Sequence, residues 1–308
     1  MVIKKILLVA VVLYALVLVI IPLTYADISI ASPLDDMYNS RLVPLYVNSD
    51  DLGSFYLTRT SNSQEGGTVL CKDTTECRSL IKAKEGENVF WVKFVEDGDI
   101  TFSDEVRFFV DTTLPKVLKT NMSALKTKYT NGKDISVTYA ETDLKSVELL
   151  YEFGCEIHGI LREDCDSGKK ETCVFSDIDL EQCQNQPIEM WFKLTDNAGN
   201  SVDSKKERLI VDTIKPVIEN IDHSVRGSKV SFSIDIDEKN IKEVIYKDYS
   251  SCNSNGVKEG VLCTKLNVNS RCNAYRNFCP GFHDIEIIAK DLAGNEDYGM
   301  IKNIRVDP

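Results

Sequence analysis

EMWFKLTDNAGN, Glu189 to Asn200, decides how this chain folds, together with the VDTIKP that follows at Val211 to Pro216. Met190, Phe192 and Leu194 fall on one face of an extended segment, the period-two pattern of a half-buried strand. The DNAGN that follows supplies a turn, because Gly takes positive φ at little cost and Asp and Asn bond local backbone amides. The passage has two sisters. VFWVKFVEDGD (Val89 to Asp99) leads to VDTTLP (Val110 to Pro115), and DIEIIAKDLAGN (Asp284 to Asn295) leads to VDP (Val306 to Pro308). Asp111, Asp212 and Asp307 therefore recur at intervals of 101 and 95 residues, the period of a tandem array of small domains.

Strand signals fill the rest of each unit. Phe90, Val92 and Phe94 match Met190, Phe192 and Leu194, then Ile285, Ile287 and Ala289. The last strands repeat the pattern with Val106, Phe108 and Val110, then Leu209 and Val211, then Ile304 and Val306. Upstream, Ile135 to Glu152 aligns with Val230 to Lys247, and Leu42 to Leu57 is a looser third copy. No stretch after residue 26 sustains a helical period. Six or seven short strands per unit, with turn signals between them, predict an all-β chain of two-layer Greek-key sandwiches. The expected domains span 27–114, 115–214 and 215–308, joined stiffly because each link ends in proline, which fixes its own φ and extends its predecessor.

Glu85 to Asp99 followed by VDTTLP, and the two DxAGN hairpins followed by VDTIKP and VDP, resemble the Ig-like repeats of bacterial and archaeal cell-surface proteins and adhesins. The likeness covers nearly all of residues 27–308, strongly over the C-terminal half of each unit. It implies stalks, spacers or adhesive tips. Two departures stand out: Glu96-Asp97-Gly98-Asp99 replaces DxAGN in the first unit, and the cysteines are foreign to the general pattern.

Residues 1–26 are set apart from the fold. Lys4 and Lys5 precede an apolar run from Ile6 to Leu23 and then Thr24-Tyr25-Ala26, the form of an export signal peptide. An uncleaved membrane anchor is the rival reading. Either way the remainder lies outside the cytoplasm, secreted or at the cell surface. The 10 cysteines agree, with an even number in each unit, as expected of disulfides in an oxidising compartment. Cys71 with Cys77, Cys173 with Cys183 and Cys263 with Cys272 form the repeated pair, which leaves Cys155 for Cys165 and Cys252 for Cys279. A nested arrangement, Cys155 with Cys183 and Cys165 with Cys173, is the alternative. Zinc is disfavoured by 3 histidines and the absence of any CxxC pair.

The net charge of −12 excludes nucleic acid as a partner, since a polyphosphate needs a basic stripe. It leaves a cation to consider. In an Ig-type sandwich the linker Asp should meet two acidic loops of the next domain. The first such set is Asp111, Glu141, Asp143, Asp196, Asn197 and Asn200, and the second is Asp212, Asp235, Asp237, Glu238, Asp291 and Asn295. Calcium takes six to eight oxygen ligands, and Ca2+ in either set would fix an interdomain angle. Turn chemistry alone accounts for the same residues.

Trp91 and Trp191 occupy equivalent positions and by alternation face outward, where they would serve a glycan or protein ligand. Asn121 heads the sequon Asn121-Met122-Ser123, a candidate glycosylation site. No GxSxG, HExxH or phosphate-loop pattern occurs, so no enzyme activity is expected. The sequence thus predicts an exported structural or adhesion protein, a semi-rigid rod of disulfide-bonded Ig-like domains that requires no cofactor. A ligand-binding module using sheet faces and a filament subunit using strand addition are the alternatives.

Overall fold

The computed structural model describes residues 27–61, 66–122, 125, 127–154, 156–250 and 256–308. The export or anchor segment, Ser123, Cys155 and Cys252 lie outside these. Among the described residues, twenty-three strands and a short 3-10 turn at Glu181–Cys183 are formed. No helix among the described residues is long and apolar enough to cross a membrane.

The first sandwich is built from β1 (Ile28–Ser32), β2 (Met37–Tyr38), β3 (Leu42–Thr58), β4 (Thr68–Lys82), β5 (Gly86–Glu96), β6 (Asp99–Phe102) and β7 (Val106–Val110). Two of these strands bend from one layer to the other. The first half of β3 pairs with β1 and the end of β4, and its second half pairs with β5 and the start of β4. The disulfide Cys71–Cys77 spans the irregular stretch of β4 between those halves.

The second sandwich separates its layers fully. β8 (Lys116–Thr120), β10 (Ile135–Glu141) and β13 (Gly168–Phe175) form a three-stranded sheet in the order β13-β10-β8. The facing sheet runs β12 (Glu156–Arg162), β11 (Leu144–Phe153), β14 (Pro187–Asp196), β16 (Glu207–Val211), β9 (Tyr129–Thr130), with β15 (Ser201–Asp203) beside β14. The third repeats this plan. β17 (Val217–Arg226), β18 (Lys229–Asp237) and β21 (Arg271–Asn277) face β20 (Lys258–Cys263), β19 (Ile241–Asp248), β22 (Gly281–Asp291) and β23 (Glu296–Val306).

Each sandwich has its own core, supplied by both sheets. The apolar residues expected to face inward on the penultimate and last strands are all buried there. Each large side chain so buried contributes about 1.5–3 kcal/mol against the entropy of ordering the chain. The second and third sandwiches form one compact unit, Leu114–Asp196 with Ser201–Pro308, and the first belongs to another that also takes in Asn197–Asn200.

The disulfides of the second sandwich differ from the expected repeat. Cys173 joins Cys165, their Cα atoms 5.5 Å apart, because the loop before β13 returns alongside the strand. That bridge is the Cys165–Cys173 half of the nested alternative and replaces both Cys173–Cys183 and Cys155–Cys165, while the other half, Cys155–Cys183, is not formed because Cys183 is a free thiol. After β13 the chain turns through Asp177, at positive φ, into the 3-10 turn, which sets Cys183 in the core as a buried free thiol. Burial, and secondarily Asp179, push that thiol above its usual pKa. In the third sandwich Cys263 joins Cys272. Cys279 is also disulfide-bonded, while its expected partner Cys252 lies outside the described residues.

Candidate functional site

The recurring VDT is held in the same way at two places. After β7, Thr112 donates its backbone N–H and its hydroxyl to the Glu85 carboxylate, at 2.8 and 2.9 Å. After β16, Thr213 donates the same two groups to Gln184 Oε1, at 2.8 and 2.7 Å. Glu85 and Gln184 both sit just before the penultimate strand of their own sandwich. The corresponding stretch of the third sandwich is Cys279-Pro280, which has no such acceptor, and the chain there reads VDP without the threonine.

A second shared bond explains the DxAGN loop. Pairing resumes beyond Asp196–Asn200 and beyond Asp291–Asn295, so each loop spans five residues, with Gly199 and Gly294 at positive φ where a side chain would be strained. The closing Asn donates its side-chain amide to the backbone carbonyl of the linker Asp: Asn200 to Asp111 O at 2.8 Å and Asn295 to Asp212 O at 2.8 Å. The first unit instead turns in two residues, Asp97 and Gly98, both at positive φ. Its hairpin is too short to carry such an amide, which accounts for the departure seen in the sequence.

Within the compact pair of sandwiches the lock is more extensive. Asn295 also donates to Asp291 Oδ2 at 2.7 Å and to Ile214 O at 3.2 Å, accepts from Asn131 Nδ2 at 3.0 Å, and donates its backbone N–H to Asp291 Oδ1. Asp212 accepts from Gln184 Nε2 at 3.0 Å on one carboxylate oxygen and from Asn240 Nδ2 at 3.1 Å on the other. Tyr129 donates its hydroxyl to Asn240. Asn131, Gln184 and Asn240 were not among the residues singled out from the sequence. Their signal was a neutral amide beside a linker, which charge patterning does not register.

Two carboxylates near the lock are raised in pKa. Burial holds Asp291 above its usual pKa, with Asp212 adding to the rise against the opposing bonds from Asn295. Burial does the same to Glu238, reinforced by Asp212 and Asp291. Beside the lock opens a cleft of about 620 Å³ whose lining includes Lys133, Asp177, Glu181, Lys215, Glu296 and Tyr298.

The expected calcium sets are brought together only in part. Asp235 leaves the second set: it lies opposite Arg271 in the β18–β21 register and pairs with that guanidinium, which holds its carboxyl below the usual range. Asp237 ends β18, exposed. Asp111 turns its carboxylate to the Thr113 N–H, and Glu141 caps the Asp143 N–H. Asp196 is fully buried. Among the described residues no group of three or more His, Cys, Asp or Glu is disposed to hold a metal ion. His283 is fully buried between Asp248, at 3.0 Å from Nδ1, and the Cys279 carbonyl, at 2.8 Å from Nε2.

The tryptophans are not the open platform that alternation suggested. Trp191 is 5 % exposed, because Lys206 lies over its ring at 4.0 Å while pairing with Glu152 and Glu189. Trp91 is half-buried. Exposed apolar side chains occur on all three sandwiches, and on the third Tyr298 and Met300 stand opposite Ile288 and Glu286 across β23 and β22. Asn121 is tied at both ends of its amide, donating to Asp134 O and accepting from Ser136 N–H. The nitrogen a glycan would need is therefore engaged.

No protein-family model matches this sequence, and no curated protein matches it. Solved structures similar to it include the chicken CNTN1 FN1–FN3 domains, at 10 % identity and TM-score 0.44, covering 92 % of this chain and 98 % of that one. A tetra-tandem repeat in the extending region of a large adhesion protein is similar at 13 % identity and TM-score 0.27, covering 92 % and 74 %. The Clostridium thermocellum CbhA fibronectin(III)-like modules follow at 14 % identity and TM-score 0.35, covering 60 % and 93 %. The sandwich assignment rests on the strand pairing and cores described above.

Proposed function

We propose that this chain is an exported structural and adhesion protein of the cell surface, whose working feature is a fastened joint between the second and third sandwiches. The observation that carries this reading is Asn295, which bonds at once to a loop of the second sandwich, to the linker and to its own hairpin. An enzyme needs reactive groups converging in a pocket, whereas a spacer needs successive domains that do not swing. Disulfides closing short loops suit the same role outside the cytoplasm.

The joint is an amide lock, closer to the turn-chemistry reading of these residues than to the calcium clamp weighed beside it. Both oxygens of Asp212 already accept N–H groups from Gln184 and Asn240, so its charge is met by neutral donors that a cation would have to displace. Adhesion itself falls to the third sandwich, whose outer face carries the exposed Tyr298 and Met300. Replacing both with serine should abolish attachment of the purified protein to its surface ligand, a glycan or a cell-surface protein, while leaving unfolding unchanged. Attachment that survives this change and is lost on replacing Trp91 would move the adhesive face to the first sandwich.

A further inference from the structure

The third sandwich departs from the other two along one edge. In the first, β2 lies parallel to the end of β7, and the N–H groups of Phe109 and Asp111 donate to Asp36 O and Tyr38 O, both at 3.0 Å. In the second, β9 covers the end of β16 likewise, with Ile210 donating to Lys128 O at 2.8 Å and Asp212 to Thr130 O at 2.9 Å. β9 exists because the chain leaves the three-stranded sheet after β8 and crosses to the other layer. In the third sandwich that crossing does not happen. β17 stays against β18 along its whole length, from Val217 opposite Asp237 to Arg226 opposite Lys229.

The end of β23 is consequently bare: among the described residues no segment pairs with its outer edge there. Register identifies the groups left facing out. Phe109 stands opposite Glu87, Ile210 opposite Pro187 and Arg305 opposite Phe282, so Arg305 and Asp307 hold the places of Phe109 with Asp111 and of Ile210 with Asp212. Val306, between them, is buried as Val110 and Val211 are.

We propose that the β23 edge at Arg305–Asp307 is a strand-addition site, which takes an extended segment of a partner polypeptide running parallel to it. Main-chain pairing of this kind supplies affinity, and side chains on alternate positions supply selectivity. The two internal occupants define the chemistry that fits. Their tyrosines differ in register, Tyr38 standing opposite Val110 and Tyr129 opposite Ile210, and it is the first that reaches the core, its ring meeting Phe108 edge-on at 5.6 Å. Arg305 is exposed and near Lys302, so an acidic residue ahead of the aromatic complements the edge. Asp35-Asp36-Met37-Tyr38 is such a sequence within this chain. Edge strands left open usually carry charges and bulges that discourage indiscriminate pairing. The positive φ at Asn303 and the Arg305–Asp307 ion pair are guards of that kind, and they restrict the site to a segment able to answer Arg305. This inference does not depend on the adhesive role of the Tyr298 face.

The test is a titration of 15N-labelled protein with a blocked synthetic peptide of sequence LDDMYNS, followed through backbone amide resonances and hydrogen exchange. The amides of Arg305 and Asp307 should shift saturably, and their exchange should slow at least about tenfold toward that of Phe109 and Ile210. Arg305→Pro removes one outward donor and should abolish the shifts with the remaining spectrum unchanged. Should that variant fail to fold, Arg305→Glu serves instead and should weaken binding several-fold. No shift at millimolar peptide, shifts confined to other strands, or equal binding by the variants would overturn the proposal. So would the same two amides shifting with protein concentration alone, which would make a second copy of the chain the occupant.

Discussion

The linker after β7 and the linker after β16 share a sequence but are gripped by different residues. Glu85 is an acceptor only. It takes both donors of Thr112 and an ion pair from Arg41, and its pKa is lowered chiefly by the Thr112 bonds. The Asp111 carboxylate can gain nothing from it and caps the Thr113 N–H instead. Gln184 has the same reach with a donor added, so it holds Thr213 through its oxygen and Asp212 through its nitrogen. Exchanging one oxygen for an NH2 turns a clamp on the linker backbone into a clamp that also neutralises the linker's charge. The third repeat has neither residue, and its Asp307 pairs locally with Arg305.

Five substitutions, three at the second linker, one at the first and one at the end of β23, would break or sharpen this contrast. The largest effect is expected from Asn295→Ala, which removes the shared amide and strands buried partners on three segments. Loss of about 2–4 kcal/mol should follow, measured by denaturant unfolding. A loss below about 1 kcal/mol would reduce the network to ordinary turn bonding. Gln184→Glu converts the second clamp into the first and faces Asp212 with a like charge, so a loss of about 1–3 kcal/mol is expected. The reverse exchange, Glu85→Gln, keeps the Thr112 bonds and should change the unfolding midpoint far less.

A smaller effect reports the raised carboxylates at the lock. Asp291 and Glu238 are both raised in the folded protein, so the folded state holds protons that the unfolded chain would release. Their contribution is favourable below the ordinary carboxylate pKa and is lost as pH rises through the raised folded value. Glu238→Gln keeps the bond from the Asn240 N–H and deletes the charge. It should raise the melting temperature at pH 7 by about 1–2 °C, and the gain should fade as pH falls toward the ordinary carboxylate range. A gain independent of pH would mean that charge is not the cause. The smallest effect belongs to Asp307→Ala, which should stay within about 0.5 kcal/mol because the pair it breaks is exposed.

The fold was legible because it is written in a two-residue period that survives in each penultimate and last strand. The lock was half legible. DxAGN and VDT recur together and directed attention to these loops and linkers, but the residues they offered were mostly carboxylates, open to turn chemistry or to a cation. What closes the joint is neutral: Asn131, Gln184 and Asn240 carry no charge signature and come from loops distant in sequence. Asp235 was misplaced for want of register, since its pairing with Arg271 exists only once β18 and β21 are aligned. Trp191 shows a similar limit. Alternation gave its outward direction correctly, yet a flexible lysine from the neighbouring segment covers it. Cys183 was assigned to a bridge by spacing, which cannot reveal that a 3-10 turn inserts it into the core.

The most direct test of the amide lock is scanning calorimetry of the unmutated protein, first in chelator and then in millimolar calcium. The second and third sandwiches should melt in one shared transition in chelator, and calcium should move its midpoint by no more than about 1 °C. Two separate transitions in chelator, or a rise of several degrees on adding calcium, would contradict a joint fastened by neutral amides.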